Sequence, residues 1–278
     1  MTTLAHDRYC DEIAHQVGQL RGVVTSGTDL SATVPTCPDW SLEQLVRHTG
    51  GALRWAELLV RTRAEKEVEE DQVPLGGGPE PTGDPAALDA WLAETGELLV
   101  GTLRAAGPDT KVWSWAEIHN SGFWARRMAH EITVHRADAT LTAGLPYEVA
   151  PDIAADAIDE WLQIVEFAQR TDPDDPANEL RGPGRSIHLH ATDGAPELNA
   201  ERSEMGVPPP EGWGRLVELA EDGLVWRRGH EKATVALRGP LTDVMLAFYR
   251  RLPLDSPRLE ILGDRELLEF WLARTNFG

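Results

Sequence analysis

Cysteine, lysine and long apolar runs are what this sequence has least of. Cys10 and Cys37 are its only cysteines in 278 residues. That excludes a disulfide scaffold at this size and fits a reducing compartment. No run reaches the roughly 18 apolar residues that a membrane helix needs. Lysine occurs only at Lys66, Lys111 and Lys232, so arginine carries nearly all the positive charge. With abundant alanine and glycine, this points to a GC-rich coding sequence rather than to a mechanism. Positive charge is itself scarce: 26 basic residues face 46 acidic ones, for a formal charge of −20. This argues against nucleic acid and acidic membrane surfaces as main partners, and Arg227-Arg228 reads as a solvated strand end rather than a local basic patch. The stretch MTTLAHDRYCDEIAHQ has no apolar signal region, so a cytoplasmic location is expected. Internal repeats and long low-complexity segments are also missing.

The sequence is 41% hydrophobic and 26% charged, ordinary globular values for one large domain or two medium ones. Its first half reads as helices. Residues 6–26 place Ile13, Val17, Leu20 and Val24 at helical spacing. GTDLSATVPTCPDW reads as a turn-rich connection. Ser41 then caps a helix running to about residue 66, with Gln44 completing a capping-box pattern. The acidic, then Pro/Gly-rich stretch at 66–84 reads as a mobile loop. Helices follow over 85–106 and 121–142, the first with Pro85 in its opening turn. Four long amphipathic helices predict a bundle.

Near residue 150 the pattern changes. One more helix fits 151–171 and TDPDDPANELRGPG reads as a linker-like loop. SIHLHATD alternates as a strand, GRLVELAEDGLVWRRG reads as a hairpin around Asp222-Gly223, and ATVALRG is another strand. Helical LTDVMLAFYRRL, the short strand LEILG and a last helix DRELLEFWLART complete an α+β module. The expected organisation is α+β, with a helical bundle at 1–148 and a smaller α+β domain at 149–278.

The densest chemistry lies in MAHEITVHRAD, residues 128–138. A zinc-protease helix needs H-E-x-x-H, with its histidines four apart. Here His130 and His135 are five apart and diverge by roughly 140° around a helix. Glu131 and His135 are four apart, differ by about 40°, and lie one turn from each other on one face. That pair can chelate a metal, and bundle cores hold such Glu/His sets. His48 is the best third ligand. It belongs to the stripe Leu45, His48, Ala52, Trp55, which places it on or beside the inward face, where a histidine needs a partner. Two histidines and one carboxylate leave a metal with open positions. Such a centre can activate water, or hold a thiol as thiolate. The residues alone do not choose between these nucleophiles.

Other residues carry weaker signals. Asp138 follows His135 by one turn and can orient its imidazole or pair with an arginine. Cys37 reads as a small residue in a turn rather than a nucleophile, having no local histidine. His188 and His190 share one strand face and can bind metal, but a solvated sheet face is the expectation. His119 reads as a surface residue, and His130 has no ligand role. His6, His15 and His230 carry no sequence signal. Trp113, Trp115 and Trp124 serve either a pocket or the core.

VPTCPDWSLEQLVRHTGGALRW and FWARRMAHEITVHRADA resemble the N-terminal signatures of the mycothiol-dependent maleylpyruvate isomerase family, and HEKATVALRGPLTDVMLAFYRRL resembles its C-terminal hallmark segment. The resemblance spans nearly the whole chain. It implies a DinB-like four-helix bundle with a divalent metal, usually zinc, and a smaller α+β domain of the sterol-carrier type. By position it implies His48, Glu131 and His135 as metal ligands. It further implies mycothiol, a small sugar thiol, as cosubstrate, its thiolate held beside an electrophile. Relative to the compact isomerase pattern, the sequence carries insertions at 66–84 and at ERSEMGVPPPEGWG. Arg238 and Arg251 are the candidates for a fork that binds a cofactor or substrate carboxylate, with a plain surface arginine the alternative for each.

These readings predict a metal-dependent, mycothiol-using enzyme that acts on a small electrophile. Because the insertions argue for a different substrate, S-transfer is the leading expectation. Cis-trans isomerisation of the maleylpyruvate type is the alternative within that class. A non-catalytic small-molecule-binding protein with a structural metal, or a metal-dependent hydrolase, are the readings from other classes. No nucleic-acid or membrane partner is expected, and a homodimer is compatible with the sequence.

Overall fold

Ser41 begins its helix as its spacing to Gln44 predicts. Ser41 Oγ accepts from the Gln44 backbone N–H at 3.2 Å, and Gln44 Oε1 accepts from the Ser41 N–H at 2.8 Å. Two donors that a first helical turn leaves unpaired are thereby satisfied. The computed structural model describes residues 3–80, 82–193 and 213–275. The insertion ERSEMGVPPPEGWG lies almost wholly outside the described residues. The chain divides into two units, Met1–Tyr147 and Glu148–Gly278.

In the first unit, helices α1 (His6–Val24), α2 (Leu42–Thr62), α3 (Pro85–Ala106) and α4 (Ser121–Thr142) form the bundle. Helices α1 and α2 each pack against both α3 and α4. Cys10, Ile13, Leu45, Leu53, Leu92, Leu99, Trp124 and Ile132 are among its fully buried residues. Gly50 lets α2 approach α3, since a Cβ there would stand 2.2 Å from Trp91 Cη2. Asp84 and Asn120 cap α3 and α4 through backbone N–H groups of the first turn. Helix α2 stops short of residue 66 because Arg63 turns left-handed, at φ +49°.

Two connections differ from their sequence reading. The stretch before α2 forms a ribbon of β1 (Thr33–Val34) and β2 (Cys37–Ser41), in which Val34 pairs with Cys37. Pro35 and Thr36 make its two-residue turn, and proline suits the first turn position. The 66–84 loop, expected to be mobile, is tied to helices by its own carbonyls. Trp55 Nε1 donates to Val68 O, Trp91 Nε1 to Leu75 O, and the Arg47 guanidinium to Gly77 O and Pro79 O. The Glu43 carboxylate in turn accepts from the Gly83 N–H.

The second unit holds α5 (Pro151–Thr171), β3 (Arg185–Ala191), β4 (Gly214–Ala220), β5 (Gly223–Arg228), β6 (Val235–Gly239), α6 (Leu241–Phe248), β7 (Glu260–Gly263) and α7 (Arg265–Arg274). The strands form one sheet in the order β5-β4-β3-β6-β7. Among the described residues only β3 and β6 pair in parallel. Ile187, Leu189, Val217, Val235 and Leu237 share one buried face by register. Arg215 lies on that face and donates to both oxygens of Asp159 on α5, at 2.5 and 2.9 Å. Arg228 adds a third contact to the same carboxylate at 3.2 Å. Among the described residues no helix is long and apolar enough to cross a membrane.

Candidate metal centre

Because α2 packs against α4, His48 faces the Glu131–His135 turn. Glu131 Oε1 lies 3.1 Å from His135 Nε2 and 3.5 Å from His48 Nε2. One ligand atom from each of the three residues lies within 4.8 Å of the other two. A tetrahedral ion with bonds of about 2.05 Å spaces its ligand atoms about 3.3 Å apart. The two measured separations straddle that value. The imidazoles of His48 and His135 stand at 90° with centroids 5.1 Å apart, radiating from a shared point rather than stacking. Two imidazoles and one carboxylate suit a borderline divalent ion such as zinc.

The outer atoms of His135 and Glu131 are held by neighbouring side chains. His135 Nδ1 pairs with Asp138 Oδ2 at 3.1 Å, and Asp138 Oδ1 accepts from Thr36 Oγ1 at 2.6 Å. The β1–β2 turn thus fixes Asp138, Asp138 fixes the His135 ring, and Nε2 is left facing Glu131. This is the outer support that metal-binding histidines usually have. Glu131 Oε2 accepts from Arg127 at 3.1 Å, leaving Oε1 toward the histidines. Trp40 packs edge-on against His48 with centroids 4.7 Å apart.

Burial opposes charge on both Glu131 and His135, and each overcomes it through the other. The Glu131 carboxyl is held well below the usual range by His135, His48 and Arg127 against the cost of burial. Against the same cost, Glu131 and Asp138 lift the His135 pKa to about 9.

His48 differs from its sequence reading in one respect. Its side chain is 44% exposed, while that of His135 is 15% exposed. It sits on the rim of the cluster rather than deep in the core, so burial is not what demands its partner. Trp124 is fully buried and donates to Trp113 O, which makes it core. Trp113 and Trp115 are half-buried. Arg238 pairs with Glu260 at 2.7 Å, and Arg251 donates to Tyr249 O at 2.8 Å. Both arginines are in the second unit. Arg127, Thr36 and Trp40 were missed from sequence. Arg127 carried a readable signal, four residues before Glu131 on one helix face. Thr36 and Trp40 lie within the signature stretch VPTCPDW, but their spacing assigns them no role, since their positions depend on the ribbon.

The description "mycothiol maleylpyruvate isomerase N-terminal domain" matches residues 10–140 as a family model, and the C-terminal domain model of the same family matches residues 152–270. No curated protein sequence matches the chain at a significant level. Two solved structures share the fold: the mycothiol-dependent maleylpyruvate isomerase and a histidine-to-alanine variant of it. Each is 13% identical, and the alignment covers 94% of this chain and 95% of the other, with TM-scores of 0.53 and 0.54. The two domain models together account for both units, and the chain belongs to the mycothiol-dependent maleylpyruvate isomerase family, a family of enzymes.

Proposed function

We propose that this chain is a mycothiol-dependent cis-trans isomerase of a small conjugated acid of the maleylpyruvate type, with His48, Glu131 and His135 holding a divalent metal, zinc first. The observation that carries the reading is the meeting of those three donors between α2 and α4, in a chain whose two halves both match that family. A divalent ion in this place lowers the proton affinity of a bound thiol, so that thiolate is available at neutral pH.

The residues themselves do the positioning. Asp138 keeps the His135 ring turned so that Nε2 faces the centre, and Arg127 occupies the outer Glu131 oxygen. The thiolate sulfur adds to one carbon of the conjugated double bond, and the π electrons move onto the adjoining carbonyl. The former double bond is then single and rotates. Reversal of the addition restores the double bond in the trans geometry and returns the thiolate, so thiol is not consumed.

This reading displaces S-transfer, which the insertions had favoured, because both domain models and the solved relatives are those of the isomerase. S-transfer remains the second reading on one observation. The 66–84 insertion is bound to Arg47, next to His48, and so can alter what reaches the site. A structural metal in a non-catalytic binding protein does not fit an enzyme family, nor a set of three donors where structural zinc uses four. Protein loaded with zinc, mycothiol and maleylpyruvate, followed by NMR, tests the proposal. Trans product with thiol undiminished supports it. Stoichiometric loss of thiol into an adduct favours S-transfer, and turnover without thiol favours hydrolysis or another chemistry.

A further inference from the structure

The second unit contains another convergent set of donors. His188, His190 and His230 each offer a ring nitrogen, and these atoms lie within 4.8 Å of one another. Their ring centroids are 5.4, 5.3 and 5.0 Å apart, and the rings meet at 72° to 87°. Three imidazoles bound to one tetrahedral ion carry their centroids about 3.2 Å from it, and hence about 5 Å from each other. The spacing and the near-perpendicular planes both match that arrangement.

Sheet register explains how the three meet. His188 and His190 are alternate residues of β3, so they share the face opposite Ile187 and Leu189. His230 follows β5, with β4 lying between. Gly214 on β4 pairs with His190. A Cβ on Gly214 would stand 2.7 Å from His230 Cε1 and 2.9 Å from its Nδ1. The missing side chain therefore opens the passage through which the His230 ring crosses β4 toward β3.

His188 supplies an independent sign of a ligand. It is only 8% exposed, and its Nε2 is buried without a hydrogen-bond partner. A buried polar atom left so is costly and calls for an explanation. The same ring has a backbone hydrogen bond to Gly229, the kind of outer contact that orients a metal-binding histidine.

We propose that His188, His190 and His230 form a second metal site that takes one divalent transition-metal ion of the zinc class. The donors are all imidazole nitrogens, which suits zinc, cobalt, nickel or copper and not calcium or magnesium. With three protein donors the ion keeps a coordination position for water or another ligand.

The test is metal stoichiometry on the full chain, so it does not depend on catalysis or on the identity of the thiol. Protein stripped of metal and equilibrated with zinc should carry two equivalents, one for each cluster. His188→Ala should lower this to one, and so should His230→Ala, although His230 is distant in sequence. His190→Gln is the companion variant, because His190 is half-buried and its replacement spares the strand core if His188→Ala disturbs folding, which circular dichroism reports. His48→Ala should also lower the count to one, and the His48→Ala, His190→Gln double variant to none. A wild-type count of one that falls to none in His48→Ala overturns the proposal and leaves the N-terminal centre standing. A second equivalent that survives all three C-terminal variants is an adventitious ion and overturns it as well.

Discussion

In the N-terminal unit two donors stand four residues apart on a helix, and the third crosses from the neighbouring helix. In the C-terminal unit two donors stand two apart on a strand, and the third crosses from the end of β5, two strands away. Each pair follows the period of its own element, and each third donor depends on tertiary packing. The surroundings differ. Around Glu131 and His135, the groups Asp138, Thr36 and Arg127 satisfy the outer atoms, and the acid and base within the cluster balance each other. Around His188 the other members of the cluster are imidazoles, a backbone hydrogen bond ties the ring to Gly229, and its buried Nε2 has no partner. A mixed Glu/His set is thus held together by its own ion pairs. An all-imidazole set is held by sheet register and by the space above Gly214.

The largest expected effect breaks one side of this comparison. His48→Ala should lower turnover by on the order of a thousandfold, with little change in the thermal midpoint, because His48 is half-exposed. Steady-state kinetics beside a melting curve checks it; a collapse of stability with activity retained per folded molecule would mean that the centre is structural. Next comes Asp159→Ala, which leaves Arg215 buried without its carboxylate. That should cost the C-terminal unit about 3–5 kcal/mol, read by chemical denaturation, while zinc at the N-terminal centre is retained.

A smaller effect sharpens the account of the outer support. Asp138→Asn should weaken zinc binding at the N-terminal centre by about 10–100-fold, measured by competition with a chelator. No change in affinity would show that Asp138 does not orient His135. The smallest effect concerns Cys10, whose pKa burial raises from 9.0 to about 11, against the pull of Arg104. A raised folded pKa contributes stability that is complete below pH 9 and is lost as pH rises toward 11. The N-terminal unit should therefore weaken in that window, less so in Cys10→Ala. In the native protein at neutral pH, Cys10 should react with thiol reagents roughly a hundredfold more slowly than a free cysteine, as peptide mapping would show.

What the sequence discloses follows the range of each interaction. Glu131 and His135 are legible because both lie within one helical turn, and the Ser41 capping box is legible for the same reason. The helix stripe brings His48 to the side of Glu131 and His135, but the burial argument behind it does not hold, since the ring sits at the rim. The anchoring of the 66–84 loop is hidden, because it depends on Trp55, Trp91 and Arg47 meeting carbonyls far along the chain. His230 is hidden more deeply. Its neighbourhood is set by the register of β4 with β5 and with β3, and by a glycine whose meaning appears only when the three strands are paired. For the same reason His188 and His190, which alternate as a solvated face would, include a buried ring.

The most direct measurement is the absorption spectrum of the cobalt-loaded protein as mycothiol is added, in the wild type and in His48→Ala. A thiolate bound at the centre of His48, Glu131 and His135 should produce a sulfur-to-cobalt charge-transfer band in the near ultraviolet that saturates with mycothiol and is lost in His48→Ala. Mycothiol that binds without that band, or a band of equal strength in His48→Ala, would contradict the account.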